Sequence, residues 1–358
     1  MTEARNRALA LRANFESAGA VVVEPPVLQP AETLLDLYGE DIRARAYITS
    51  DALRGEQMLR PDFTVPVVQM HMADGAEPAR YTYAGEVFRR QEDDLERASE
   101  FLQVGYEVFD RSNPAATDAE VFALVSTAVS HLDVRASTGD IGILMAAVRG
   151  LKTSERRKAA LIRHVWRPRR FRALLDRFSG RSTVPESRLA LLADTDPFQN
   201  VGAIVGTRTG SEISTRVAAL REDAMTDPIS STEMDVIDAL LNVRETVPFA
   251  LEQLRDLAVD MPEISHAVEG LHARSDALSG RGVDVDNLAF EASYGRTSME
   301  YYDGFVFGFY INGRADLPAL ASGGRYDALT KRLGNGAEIP AVGAVLRPGL
   351  MVELEGAQ

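Results

Sequence analysis

The order of strand-like and helix-like segments is the feature that most constrains the fold of this chain. Short β-branched and aromatic runs fill the stretch 47–109, and strand character returns at 301–311 and 339–346. Between them, from 151 to about 280, Ala, Leu, Arg and Glu recur at helical spacing with few strand signals. Strands, a helical block and further strands indicate an α+β fold with an interrupted sheet.

The domain organisation follows from this order. A chain of 358 residues is long enough for two or three domains. We expect a core formed by residues 1–150 and 281–358, with a mostly helical insertion at 151–280. Within the core, residues 117–132 predict a helix capped by the threonine that opens it and acidic in its first turn.

Composition limits the classes of function. There are 53 acidic and 39 basic side chains, which gives a net charge of -14, whereas proteins that clamp tRNA usually present a basic face. The basic run 163–172 (RHVWRPRRFR) is the best candidate for such a face, but it is more typical of a solvated helix end or a subunit contact. We therefore expect no tRNA partner.

Several kinds of site and location are also disfavoured. The chain has no cysteine, and its five histidines form no HxxxH or HExxH pair, so we expect no metal. No apolar run approaches the roughly 18–20 residues that span a bilayer, and no signal peptide is evident. We expect a cytoplasmic protein without a membrane partner or a cofactor.

Single motifs leave two interpretations open. The segment GGRYD (323–327) can be a strand–turn–helix corner that needs glycine, or part of a ligand site. The pair Arg89 and Arg90 can be a surface ion-pair ladder or part of a site. No P-loop or GxGxxG spacing is present, so these nucleotide-binding motifs are disfavoured.

The order of several motifs is more specific than any one of them. The sequence resembles the histidyl-tRNA synthetase family of class II synthetases in five segments: EPPVLQPAETLLDLYGED (24–41), MLRPDFTVPVVQ (58–69), RYTYAGEVFRRQEDDLERASEFLQVGYEVFD (80–110), YYDGFVF (301–307) and ASGGRYDALTKRLG (321–334). They are similar to motif 1, the LRPExT segment, motif 2 and the two histidine-specific motifs. The resemblance implies an antiparallel class II sheet flanked by helices, with a dimer contact through motif 1.

The resemblance also implies a histidine pocket. Its residues fall on Asp62, Thr64, Arg89, Gln103, Glu107, Tyr301 and Tyr302. Their chemistry suits the ligand, because an α-ammonium group needs acceptors such as Asp62, Thr64 and Gln103. An imidazole N–H needs a buried carboxylate or phenol such as Glu107 or Tyr302. The alternative is an inherited polar core that no longer binds anything.

Departures from the family pattern fall on the ATP and tRNA functions. Glu92, Asp93 and Asp94 stand where motif 2 faces ATP phosphates, and three carboxylates repel a polyanion. The arginine before the tyrosine pair falls on Thr297, although Arg296 lies next to it. The motif 3 arginine falls on Leu350. No anticodon-binding domain is expected after motif 3, and Arg347 is a weak substitute for the lost arginine.

This combination resembles the regulatory-subunit family of ATP phosphoribosyltransferase. The resemblance implies a non-catalytic homodimer within a hetero-oligomer, whose partner is a short-form catalytic subunit and whose effector is L-histidine. Such a complex catalyses the first step of histidine biosynthesis. The alternatives are an active adenylate-forming synthetase, or a synthetase-like sensor of tRNA or amino acids.

A dimer contact is predicted at one helix of the motif 1 segment. Residues 31–38 predict a helix with an apolar face, formed by Leu34, Leu35, Leu37 and Tyr38. Two copies of this face can bury each other across a twofold axis. Alternatively, the same leucines pack on the chain's own sheet.

Overall fold

A computed structural model describes residues 2–38, 42–91, 98–196, 198–199, 202, 205–297 and 301–356. Its strands are β1 (Val21–Val22), β2 (Leu28–Pro30), β3 (Ile48–Asp51), β4 (Gly55–Leu59), β5 (Ala79–Phe88), β6 (Glu100–Phe109), β7 (Val134–Asp140), β8 (Arg244–Thr246), β9 (Ala289–Glu291), β10 (Phe305–Ile311), β11 (Ala321–Arg325) and β12 (Ala341–Leu346).

The helices alternate with these strands near both ends of the chain and follow one another in its middle. They are α1 (Thr2–Ser17), α2 (Ala31–Tyr38), α3 (Ile42–Arg45), α4 (Thr64–Asp74), α5 (Pro114–Val129), α6 (Ile141–Gly150), α7 (Glu155–Arg163), α8 (Pro168–Phe178), α9 (Glu186–Ala193), α10 (Gly210–Met225), α11 (Ser231–Asn242), α12 (Val247–Asp260), α13 (Ser265–Ser279), α14 (Asp327–Leu333) and α15 (Pro348–Glu355).

The large sheet is mixed rather than antiparallel throughout. Its strand order is β1-β5-β6-β12-β11-β10-β7-β9-β8, and β2-β4-β3 form a small second sheet. The pairs β1–β5 and β7–β9 are parallel, whereas the six other neighbouring pairs are antiparallel. The expected antiparallel sheet is therefore found at the centre, and the parallel pairs lie towards the two edges, where short strands arrive from distant parts of the chain.

Alternation along β6 separates the core from a polar face. Tyr106 points to one side, where its ring packs against Phe15 of α1 with centroids 5.2 Å apart and its hydroxyl donates a hydrogen bond to Glu120 of α5 at 2.7 Å. Because successive side chains of a strand point to opposite faces, Gln103 and Glu107 point to the other side. Helices α1 and α5 thus cover one face of the strand and leave the opposite face for a site.

The middle of the described chain is helical, apart from one short strand. Two of its helices begin with reciprocal capping boxes, formed by Thr209 with Glu212 and by Ser230 with Glu233. Strand β8 lies inside the segment expected to be helical and joins the large sheet through β9. The domain boundaries at 150 and 281 stay predictions.

Helix α5 begins earlier than predicted. It starts at Pro114, and the side chain of Asn113 accepts a hydrogen bond from the backbone N–H of Ala116 at 3.1 Å. The predicted cap, Thr117, instead lies inside the first turn and donates its hydroxyl to the Pro114 carbonyl. Asparagine as cap followed by proline at the first helical position is a strong start signal, and it overrides the later threonine.

The apolar face of α2 is covered within the chain. Leu34 is only 1% exposed, and Leu35 and Leu37 pack partly buried against the core. The side chain of Tyr38 lies outside the described part of the structure. Leu34 therefore packs within its own chain, while a dimer contact through the remaining surface of this helix stays a prediction. Exposed apolar side chains of the described residues nearby include Val27, Leu28, Tyr47 and Ile48.

Candidate functional site

One cavity collects most of the predicted site residues. Its volume is about 150 Å³, below the roughly 300 Å³ from which pockets for drug-sized ligands start, so it suits a small molecule. Its lining includes six of the seven predicted residues, together with four small residues of β11 and β12 and one further arginine. The lining is Asp62, Thr64, Arg89, Gln103, Tyr301, Tyr302, Ser322, Gly343, Ala344, Val345 and Arg347.

Glu107, the seventh predicted residue, lies behind this lining. Its Oε1 accepts hydrogen bonds from the hydroxyls of Thr64 at 3.1 Å and Tyr83 at 2.8 Å, and its Oε2 accepts one from Tyr326 at 2.5 Å. Burial raises the pKa of Glu107 to about 7, although these three donors favour its charged form. The carboxyl group is therefore poised to hold or release a proton near neutral pH.

A glycine makes room for this carboxyl group. Gly343 of β12 pairs with Glu107 across the sheet, and a Cβ atom at position 343 would overlap Oε2 of Glu107. Any other residue there would displace the carboxylate from Tyr326. The sequence IPAVGAVL therefore carries a glycine for close approach to the site, rather than for a turn.

Gln103 is the most unusual member of the cavity. Its side chain is 1% exposed, and neither its amide nitrogen nor its amide oxygen has a hydrogen-bond partner among the described residues. Buried polar groups are nearly always paired, since an unpaired one costs about 1–3 kcal/mol. An amide with both of its atoms free, directed into a cavity, is the arrangement expected of a ligand contact.

Asp62 and Thr64 enter the cavity at the start of α4. Thr64 is the first residue of that helix, and Oδ1 of Asp62 accepts a hydrogen bond from the backbone N–H of Val65 at 3.4 Å. Both side chains are buried. They present a carboxylate and a hydroxyl on one side of the cavity, which suits a ligand that carries hydrogen-bond donors.

The tyrosine pair connects the cavity to the helical middle of the chain. Tyr301 and Tyr302 meet edge to face, with ring centroids 4.9 Å apart. The indole N–H of Trp166, from the turn between α7 and α8, donates to the backbone carbonyl of Tyr302 at 3.0 Å. Burial and the nearby Glu107 carboxylate raise the pKa of Tyr302, so its phenol stays protonated at neutral pH.

A second cavity adjoins the first where motif 2 and motif 3 meet. It has a volume of about 590 Å³ and shares Arg89 and Arg347 with the smaller cavity. The guanidinium carbons of these arginines lie 5.6 and 6.0 Å from the centroid of Phe101. Leu350 also lines this cavity. Arg347, the weak substitute predicted from the sequence, therefore lines the same cavity as Leu350.

The other two departures from the family pattern are at Thr297 and at residues 92–94. Thr297 is exposed, whereas the neighbouring Arg296 is 5% exposed and donates to the carbonyl of Val165 at 2.8 Å. Its guanidinium also lies 4.7 Å from the ring centroid of Phe171, so Arg296 faces the helical segment. Glu92, Asp93 and Asp94 lie outside the described residues.

The basic run 163–172 is divided among several contacts. Phe171 is buried, and Trp166 contacts the tyrosine pair. Arg172 forms ion pairs with Asp176 and Asp238. These contacts leave the choice between a basic face and a solvated helix end or subunit contact as a prediction.

Sequence reasoning missed two of the three hydrogen-bond partners of Glu107, namely Tyr83 and Tyr326. Tyr326 stands inside the quoted GGRYD motif, and Tyr83 stands inside the quoted motif 2 segment 80–110. For Tyr83, the available signal was its spacing from Tyr81. Two residues separate these tyrosines, which places their rings on the same face of β5. In the structure, the ring of Tyr83 stacks on that of Phe63, with centroids 4.2 Å apart.

Two further searches concern the described residues only. Among them no group of three His, Asp or Glu side chains is placed to hold a metal ion. In the same part of the chain, every helix is too short or too polar to cross a bilayer.

Comparisons with known proteins agree with this geometry. The model of the histidyl-tRNA synthetase family matches residues 2–199 and 213–349. The ATP phosphoribosyltransferase regulatory subunits of Brucella anthropi and Brucella ovis are each 30% identical over 354 residues, which cover 93% of this chain and 93% of the relative.

Solved structures share the fold at lower identity. An ATP phosphoribosyltransferase regulatory subunit/histidyl-tRNA synthetase from Bacillus halodurans superposes with a TM-score of 0.68 at 20% identity, covering 99% of this chain and 79% of that one. A histidyl-tRNA synthetase from Nostoc gives a TM-score of 0.64 at 19% identity, with 99% and 73% covered.

Proposed function

Because this chain belongs to the histidyl-tRNA synthetase family, and within it to the ATP phosphoribosyltransferase regulatory subunits, we propose that it is the histidine-sensing, non-catalytic subunit of such an enzyme. Its partner is a short-form catalytic subunit, which it activates. Its effector is L-histidine, which binds in the cavity at Gln103 and reverses the activation. The complex carries out the first step of histidine biosynthesis.

The unpaired amide of Gln103 is the observation that carries the proposal. Its oxygen and the carboxylate of Asp62 are acceptors for an α-ammonium group, and its nitrogen can donate to an α-carboxylate. Arg89 supplies positive charge on the same cavity. The phenol of Tyr302 and the buried Glu107 behind Thr64 suit an imidazole ring.

The proposal includes the loss of adenylate chemistry. A synthetase needs positive charge on the ATP phosphates and a base-stacking arginine, and Leu350 stands at the position of the latter. Arg296 is engaged with Val165 and Phe171, away from the cavity. These changes remove transition-state contacts while they leave the small cavity intact.

Histidine needs only a differential affinity for two states of the complex. A coupling free energy of about 1–3 kcal/mol gives roughly 5–150-fold inhibition. Our candidates for the element that changes are the segment 294–304, of which Tyr301 and Tyr302 line the cavity, and the glycines at 323–324, which follow Ser322 of its lining. Trp166 contacts that segment from the helical side.

A reconstituted complex tests the proposal. The chain is purified with the short-form catalytic subunit, and phosphoribosyl-ATP formation is measured with and without L-histidine. We expect activation by the wild-type chain and inhibition by histidine. A complex that carries Asp62→Ala with Glu107→Ala should stay active and lose the inhibition. Full inhibition of that variant complex would contradict sensing at this cavity, while it would leave the activating role in place.

One observation favours a second function. Arg89 and Arg347 both face the larger cavity beside Phe101, where a nucleotide would lie in an adenylate-forming enzyme. ATP–pyrophosphate exchange in the presence of histidine separates this alternative from the proposal. A sensor of tRNA is separated by a gel-shift assay at moderate salt.

A further inference from the structure

A groove in the helical middle of the chain takes no part in the histidine cavity. It lies between α8, α9 and the end of α10 and has a volume of about 880 Å³. Its walls are mainly apolar and include Leu174, Val184, Leu189 and Leu192. A half-open apolar groove of this size is typical of a surface that receives a peptide segment or a helix.

Helix α9 forms one wall and is poorly covered within the chain. None of its residues is buried, although its sequence ESRLALLA contains three leucines. Leu189 is 53% exposed, and the preceding Val184 is also exposed. Such a short helix gains little stability from its own hydrogen bonds and normally depends on packing. Its apolar face is therefore incompletely covered by the described residues.

The charged side chains that line the groove are mainly basic, in a chain whose net charge is -14. Four arginines and two aspartates line it: Arg157, Arg170, Arg177, Arg188, Asp176 and Asp223. The Asp223 carboxylate accepts hydrogen bonds from Arg157 and Arg188, each at 2.7 Å, and Arg177 lies 3.9 Å away. The single carboxylate of Asp223 is thus shared by three guanidinium groups.

The excess positive charge beside the apolar walls indicates that a binding partner would supply an acidic group. Burial and the neighbouring Arg188 and Arg157 lower the pKa of Arg177, although Asp223 opposes this shift. A second carboxylate brought next to Arg177 and Arg188 would relieve this like-charge repulsion in a partly desolvated place.

We propose that this groove docks an amphipathic helix of the catalytic subunit, with an acidic side chain of that helix reaching Arg177 and Arg188. Helix α9 supplies the apolar contacts, and the arginine cluster fixes the register. This inference rests on the proposed function, since it names the surface by which the two subunits meet. It places that contact on the helical segment, which also touches the histidine cavity through Trp166.

Binding measurements with matched variants test the groove. The dissociation constant for the purified short-form catalytic subunit is measured for the wild-type chain, Arg177→Glu and Leu189→Asp. The controls are Arg255→Glu and Phe249→Asp on α12, which are also exposed and lie outside the groove. We expect at least about tenfold weaker binding for each groove variant, and less than about twofold change for the controls.

Hydrogen–deuterium exchange on the wild-type proteins gives a test without mutation. Residues 186–193 should exchange rapidly in the free chain and slow by about tenfold or more in the complex, whereas the exposed side of α12 should not change. This readout separates docking at the groove from a variant that merely folds badly.

The outcomes separate this inference from the proposed function. A wild-type chain that does not bind the catalytic subunit contradicts both. If the wild-type chain binds, the groove variants bind with unchanged affinity and residues 186–193 gain no protection, only the groove proposal is overturned. It is also overturned if Leu189→Asp loses self-association but still binds the catalytic subunit, because the groove would then be a contact between copies of this chain. Binding of inorganic pyrophosphate that Arg177→Glu abolishes, with unchanged partner affinity, would make it a small-anion site and also overturn the proposal.

Discussion

Replacing Gln103 by methionine should stabilise the ligand-free protein and weaken its binding of histidine. The two side chains have similar volume, and such swaps in a core usually cost little. Methionine removes two buried polar atoms that have no partner among the described residues. It also removes the atoms that we assign to the amino and carboxylate groups of the ligand. Stability and binding should therefore move in opposite directions.

The size of the stability gain follows from the two unpaired atoms. Each costs about 1–3 kcal/mol if it is fully desolvated, which sets an upper bound of about 6 kcal/mol for the pair. Water that enters a polar cavity recovers much of this cost. We therefore expect Gln103→Met to raise the free energy of unfolding by about 1–2 kcal/mol, with an increase in Tm of at least about 2 °C.

The loss of binding free energy for histidine should be larger than the gain in the free energy of unfolding. Hydrogen bonds to charged groups are worth about 1.5–3 kcal/mol each, so losing even one of those assigned to Gln103 corresponds to roughly 10–200-fold weaker histidine binding. Urea unfolding gives the stability, and isothermal titration calorimetry with L-histidine gives the affinity. Both measurements use the same preparation of the full chain.

Gln29 provides the matched control. It is 5% exposed, but its amide donates to the carbonyl of Pro26 at 2.7 Å, so its burial is compensated. Gln29→Met should destabilise the protein by about 1 kcal/mol and leave histidine binding unchanged. If Gln103→Met is instead less stable than the wild type by a similar amount, or binds histidine as well, the reasoning about the unpaired amide is refuted.

Three further predictions concern the pH dependence, the dimer and the lost chemistry. Since burial raises the pKa of Glu107 to about 7, folding favours its protonated form, and this contribution to stability is lost as pH rises through 7. Between pH 6 and 8, the free energy of unfolding of Glu107→Gln should therefore fall by about 1 kcal/mol less than that of the wild type. Equal decreases, measured by urea unfolding at the two pH values, would contradict this. The chain should form a homodimer through the motif 1 region, so light scattering should show a monomer for Val27→Asp with Leu28→Asp, two exposed residues of that region; a monomeric wild type would refute the contact. The chain alone should show no ATP–pyrophosphate exchange with histidine, because Leu350 replaces the motif 3 arginine; turnover of roughly 1 per second or faster would refute this.

The order of motifs predicted the family and the place of the cavity, because each motif contributes a short, local segment. Asp62 and Thr64 come from one such segment, and Tyr301 and Tyr302 from another. Their meeting at one cavity needs only the fold that the motifs imply. Whether that cavity binds histidine stays a prediction.

Features that depend on packing could not be predicted from the sequence motifs. Leu34 has the spacing of a contact residue, yet the choice between a partner's surface and the chain's own core depends on distant residues. The direction of Arg296 depends on Phe171 and Val165, more than a hundred positions away along the chain. Similarly, β8 was missed because a three-residue strand carries almost no periodic signal.

The contact between Trp166 and Tyr302 gives this protein a built-in optical probe. Trp166 is the only tryptophan in the chain, so emission excited selectively from indole arises from a single place. Its ring N–H is bound to the backbone of a residue whose side chain lines the small cavity, and the emission of an indole depends on the polarity around that group. Occupancy of the cavity and rearrangement of the helical segment can thus be followed in real time on the unlabelled protein, in stopped flow as well as at equilibrium.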